Sequence, residues 1–162
     1  MYNEMLNMRG QKVRNLYKNL DNWLSDQNIN SLMSQSIKAE ELFRKVGITF
    51  NVYGEDEAEE RLIPFDLMPR IIDSKEWGFI EKGITQRLIA LNMFLEDIYS
   101  KQNIVKENII PSKLINNNAA FLPEMCDFKP PGGIYTHISG IDLVRTSEKN
   151  FFVLEDNLRV PS

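Results

Sequence analysis

Cysteine and histidine are nearly absent: the 162 residues contain one of each, Cys126 and His137. A single cysteine excludes an intrachain disulfide framework and a cysteine-built zinc site. A single histidine leaves at most one imidazole base. One unpaired thiol fits a reducing compartment, so the expected location is cytoplasmic. Positive charge is not in excess. The 19 Lys+Arg against 23 Asp+Glu leave a net charge of −4. That argues against a nucleic-acid partner, because such modules carry a basic stripe that neutralises phosphates. No apolar run approaches the roughly 20 residues of a membrane span. The first residues have no continuous apolar stretch of the signal-peptide kind. No membrane partner is therefore expected. What is present is ordinary: 43% apolar and 26% charged residues, enough for a core.

The first third reads as helical. Leu6, Val13, Leu16, Leu20 and Leu24 recur at helical spacing, with Tyr17 and Trp23 nearby. Asp26-Gln27-Asn28 breaks the pattern, and a second helix is expected over 31–45. Residues 1–46 thus form a helical packing or interaction segment with no evident chemistry. At Gly47 the period changes. Residues 48–53 are β-branched and aromatic, a strand ended by Gly54. The acidic run 55–60 reads as a solvated turn; a metal cluster is the rival, without a spacing logic. Pro64 and Pro69 forbid a regular helix over 61–72. Asp73 opens the best helix as N-cap, with Glu76 able to complete a capping box. Trp77, Ile80, Ile84, Leu88, Leu91, Phe94 and Ile98 carry it to about Tyr99. Gln86 and Arg87, near its middle, are expected at the surface, with service at a site as the alternative. A short helix begins at Ile109-Ile110-Pro111 and ends at Asn116-Asn117-Asn118. Residues 121–131 read as a proline-rich loop in which Cys126 is a small packing residue.

The last thirty residues carry the chemistry. Strands are expected over 133–138, 141–145 and 151–156, with a polar turn at 146–150 making the last two a hairpin. A turn centred between Glu148 and Lys149 sets Asp142 directly against Glu155. Directly opposed side chains have Cβ atoms about 4.5–5.5 Å apart, and like charges there destabilise the pair. Asn157 lies two residues beyond Glu155 and shares its face. The same register sets Val144 against Val153 as a dry floor, and turns Asp156 the other way. Two carboxylates and an amide oxygen suit Mg²⁺ or Mn²⁺. The competing reading is a twisted edge hairpin whose acids splay into water, and a bulge would shift the register.

Asp142 and the run Val153-Leu-Glu-Asp-Asn-Leu-Arg-Val-Pro-Ser162 resemble the metal-binding end of ATP-grasp enzymes. There an Asp on one strand and a Glu-x-Asn on the next hold the magnesium ions of Mg-ATP. The segments Gly47–Gly54, Arg61–Arg70, Gln86–Asn92, Pro131–His137 and Gly140–Arg145 resemble the circularly permuted ATP-grasp type 2 family, over about residues 40–162. The fold class so implied is α+β: N-terminal helices (1–46), then part of a permuted ATP-grasp domain (47–162) ending in the metal-binding antiparallel hairpin. There is no GxxxxGK(S/T) loop and no GxGxxG, so the chain reads as a piece that stops before a nucleotide-binding half.

The resemblance implies an ATP-dependent carboxylate–amine ligase working through an acyl phosphate, active in the longer protein rather than in this piece. The cofactors would be ATP with Mg²⁺ or Mn²⁺, the metal ligands Asp142, Glu155 and Asn157. Arg159, two residues past Asn157, would share their face if the strand continues, gripping phosphate or carboxylate bidentately as a catalytic residue. Its alternative is a surface arginine. His137 reads as a structural strand residue and Arg145 as a strand-end surface residue. Pro130-Pro131-Gly132-Gly133 reads as a tight turn. The partners implied are the acid and amine substrates, with α-helical (alpha-E) and transglutaminase-like proteins beside them. The alternative function is an inactive ATP-grasp-like binding or scaffold module in a peptide synthesis or modification system. A third is a helical adaptor without a ligand.

Overall fold

The computed structural model describes residues 2–6, 12–51 and 60–159. The chain divides into two compact units, Asn3–Asp73 and Ser74–Ser162 with Met1–Tyr2. The change of period at Gly47 lies inside the first of these.

In the first unit Leu6 and Val13 form an antiparallel bridge, so the expected helix does not begin at Leu6. It starts with a 3-10 turn at Asn15–Tyr17 and continues as α1, Lys18–Ser25. The bridge is held by Arg14 N–H donating to the Met5 carbonyl at 2.8 Å. α2 spans Ile29–Val46. Asn28 caps it, accepting the Asn30 N–H at 2.8 Å, which is the usual role of Asn before a first turn. Gly47 ends it at φ 74°, a left-handed conformation that glycine adopts without steric cost. β1, Thr49–Asn51, pairs antiparallel with β2, Glu60–Leu62. The strand thus falls where the β-branched run predicts. The rest of that run and most of the acidic stretch, 52–59, lie outside the described residues. The unit packs around Tyr17, 1% exposed, whose hydroxyl accepts the Ile71 N–H at 3.0 Å.

The second unit is built on α3, Ser74–Ile98, about 37 Å long at 1.5 Å per residue. Asp97, in its last turn, accepts the N–H groups of Asn103 and Ile104 at 3.0 and 2.9 Å. That starts α4, Asn103–Lys106, and α5 follows at Lys113–Asn116. Tyr99 stacks between Phe121 and Tyr135, with ring centroids 5.0 and 6.3 Å away. Cys126 is exposed, not packed as expected.

Residues 133–138 do not form the expected strand. Pro131–Gly133 is a 3-10 turn with Gly132 and Gly133 at φ 68° and 67°. Asn92 of α3 then takes the backbone groups a ladder would use: its amide donates to the Gly133 carbonyl at 2.6 Å and accepts the Tyr135 N–H at 2.8 Å. β3, Gly140–Arg145, and β4, Phe151–Asn157, form the antiparallel hairpin. The fold class is α+β. Among the described residues the buried apolar side chains are Tyr17, Ile80, Ile98 and Ile115, a small core for this length. No helix of the described residues is long and apolar enough to cross a membrane.

Candidate functional site

The hairpin keeps two registers. Next to the turn, Arg145 pairs with Phe151, Val144 with Phe152 and Leu143 with Val153. Beyond it, Asp142 pairs with Glu155, Ile141 with Asp156 and Gly140 with Asn157. The shift between Asp142 and Leu143 leaves Leu154 without a partner, which is a β-bulge. The turn is therefore centred on Glu148 rather than between Glu148 and Lys149, and the extra residue restores the outer register. The Val144–Val153 floor does not form. Val144 meets Phe152, and both are exposed, as is Leu154 at 71%.

Alternation then sorts the side chains. Leu143, Val153 and Phe151 line a cleft with Phe79, Gly83 and Arg87 of α3. Asp142, Val144, Phe152 and Glu155 occupy the opposite, exposed face. Asp142 and Glu155 are thus brought together and Asn157 joins them, its Nδ2 donating to Asp142 Oδ2 at 3.0 Å. Among the described residues neither carboxylate has an ion-pair partner. No group of three or more His, Cys, Asp or Glu side chains converges among the described residues, at the hairpin or away from it.

The three side chains carry oxygen donors of the kind a hard divalent cation takes. Two directly opposed carboxylates without a compensating positive charge are an electrostatic cost that a cation removes. The amide of Asn157 would turn its oxygen in place of Nδ2, since only the oxygen is a ligand.

Arg159 is not placed by strand alternation, because β4 ends at Asn157. It lies in a bend and lines a cleft of about 790 Å³ with Tyr99, Tyr135, Thr136, His137 and Ile138. Among the described residues no carboxylate side chain lines that cleft.

Two anchors hold the hairpin on α3, and no local pattern in the sequence marks the partners of either. Arg145 is not at the surface: its side chain is 2% exposed. Its guanidinium donates to Glu76 Oε1 at 2.6 Å and to the Ser147 and Glu148 carbonyls at 3.1 and 2.6 Å. It also lies 4.8 Å from the centre of the Phe151 ring, a cation–π contact. At the open end Arg87 grips Asp156, Nε to Oδ1 at 2.7 Å and Nη2 to Oδ2 at 2.5 Å. These hydrogen bonds hold the Asp156 carboxyl below its usual pKa, against a smaller opposing effect of burial, and raise that of Arg87. Parity was the available signal. Arg145 and Asp156 both fall on the helix-facing side, and Arg87 follows Ile80 by seven residues on the packed stripe of α3.

The pattern of the circularly permuted ATP-grasp type 2 family matches residues 69–162. The chain is similar to the Synechocystis protein sll0335, 45% identical over 88% of this chain and 30% of that protein. It is similar to the Mycobacterium leprae protein ML0605, 40% identical over 99% of this chain and 28% of that protein. A Frankia casuarinae protein named "Putative glutamate--cysteine ligase 2-2" is 41% identical over 72% of this chain and 13% of its own length. The chain therefore spans less than a third of the length of these relatives.

Proposed function

Since the chain belongs to the circularly permuted ATP-grasp type 2 family, we propose that its hairpin is the metal-binding part of an ATP-dependent carboxylate–amine ligase. The observation that carries the reading is the direct opposition of Asp142 and Glu155 on one exposed face, without a cationic partner among the described residues. The name glutamate--cysteine ligase, carried by a relative, denotes the joining of an acid to an amine and supports the same class.

In this reading Asp142, Glu155 and Asn157 would hold Mg²⁺ or Mn²⁺. A divalent cation bound there would offset the negative charge that grows on the transferring phosphoryl oxygens. The chain's own part is to hold three oxygen donors at fixed positions. The substrate carboxylate attacks the γ-phosphorus and ADP departs, leaving an acyl phosphate. An amine then attacks the acyl carbon, loses a proton and expels phosphate. Arg159, in a cleft that no carboxylate side chain of the described residues lines, would hold an anionic group of the substrate or nucleotide bidentately.

The test is substrate-dependent phosphate release from ATP by the whole protein, across a panel of amino acids and peptides, for wild type and Glu155→Gln. The expected result is turnover in wild type and a loss of at least about a hundredfold in the variant, as for removal of one preorganised stabilising group. Absence of turnover across the panel, with ATP still bound, would favour a binding or scaffold module.

A further inference from the structure

The exposed face of the hairpin depends on which register β4 adopts, and the alternative register is close by. Without the bulge at Leu154, β4 would slide by one residue. Leu154 would then face Asp142, and Glu155 would move opposite Ile141, where Asp156 now stands. A shift of one residue turns a side chain to the other face of a sheet. Glu155 would leave Asp142 and point toward α3, within the reach of Arg87. The exchange is electrostatically favourable for Glu155. It leaves a facing like charge and gains a guanidinium. The observed register therefore needs something that denies Arg87 to Glu155.

We infer that Asp156 is that device: a positioning residue that occupies Arg87 with both its oxygens and so keeps Glu155 and Asn157 on the face of Asp142. The inference rests on the metal reading for its functional meaning but not for its structural content. The turn end is fixed independently, by Arg145 bound to Glu76 of α3. With that end held, the span from Arg145 to Ile141 on β3 faces one more residue on β4, from Phe151 to Asp156. The surplus is Leu154, which stays outside the ladder and 71% exposed. The Arg87–Asp156 pair is the contact that holds the surplus in place, because it fixes the first helix-facing residue beyond the bulge. Leu158, on the same side as Asp156, lines a small cleft with Leu88 and Leu91 of α3.

The register can be read without a metal, from cross-strand backbone NOEs in the full chain. Wild type should connect Asp142 to Glu155. Asp156→Asn keeps the side-chain shape, removes the charge that occupies Arg87, and should connect Asp142 to Leu154. Mn²⁺ titrated into the same samples should bind the variant roughly 10- to 100-fold more weakly, the usual cost of losing a supporting partner. Deletion of Leu154 supplies the second variant. It removes the surplus residue, so an unbulged strand already sets Glu155 opposite Asp142. In that background Asp156→Asn should leave both the Asp142–Glu155 NOEs and Mn²⁺ affinity in place. A role confined to general stability would not be rescued by shortening the strand. Retention of the Asp142–Glu155 contacts in Asp156→Asn alone would overturn the inference, as would their loss in the shortened double variant. A shift of register in Asp156→Asn, together with no Mn²⁺ bound at the wild-type hairpin, would uphold the positioning role and sink the metal reading instead.

Discussion

Asp142 faces Glu155 across the hairpin only because Leu154, one residue before Glu155, is left out of the ladder. Two negative groups are thereby set against each other at a site that has no cationic partner among the described residues. Such an arrangement opposes folding, so it invites a functional reading.

The cost can be measured directly. Glu155→Gln removes one of the two opposed charges and keeps the shape, so in metal-free buffer it should raise stability by about 0.2–1 kcal/mol, the range for cross-strand pairs. Chemical denaturation of the two chains in chelator gives the difference. A less stable variant would mean that Glu155 has a favourable partner in the folded state.

Arg145 should be among the most sensitive positions in the unit formed by Ser74–Ser162. Its side chain is 2% exposed and holds Glu76 and two turn carbonyls. Arg145→Met leaves the Glu76 carboxylate without this partner, a loss of about 3 kcal/mol or more. Arg145→Lys should recover only part of it, since an ammonium cannot match a planar fork that serves a carboxylate and two carbonyls together. Equal stability of wild type and Arg145→Met in urea would contradict this account of the turn.

Acid should weaken the end of α3 through Asp97. The N–H groups of Ile104 and Asn103 hold its carboxyl below the ordinary aspartate range, the Ile104 bond being the largest cause, with burial opposing. A carboxyl whose pKa is depressed in the folded state stabilises it above the unfolded pKa of about 3.9 and loses that contribution as pH falls through the folded value. The protection of the Asn103 and Ile104 amides, exchange measured relative to an unstructured chain at the same pH, should therefore hold from neutral pH to about 4 and decline below it. Asp97→Asn should show faster exchange at neutral pH and a flatter acid profile. An unchanged neutral-pH rate in the variant would sink the capping role.

Much of this was legible in the residues, for physical reasons that also mark the limits. The apolar spacing from Trp77 to Ile98 gave α3 nearly to its ends, because a long amphipathic pattern has few alternatives. The opposition of Asp142 and Glu155 was legible from the turn and strand pattern, but by two compensating differences: the turn lies half a residue earlier, and the bulge adds the missing position. A bulge at a leucine has no sequence signature, so the Val144–Val153 pairing was lost with it. Residues 133–138 alternate like a strand, yet Asn92, distant in sequence, takes their backbone groups. That is tertiary context overriding local propensity. Arginine is exposed on average, which fails for Arg145 and holds for Arg87, 42% exposed. Their partners, Glu76 and Asp156, each lie 69 positions away, beyond the reach of any local pattern.

A divalent-cation site at Asp142, Glu155 and Asn157 is open to paramagnetic Mn²⁺. Added to the isotopically labelled chain, Mn²⁺ should broaden the backbone resonances of these three residues first. Mg²⁺ should reverse the effect by competition, and Glu155→Gln should abolish it with the fold intact. Broadening that is uniform across the acidic residues, or unaltered by Glu155→Gln, would contradict the assignment.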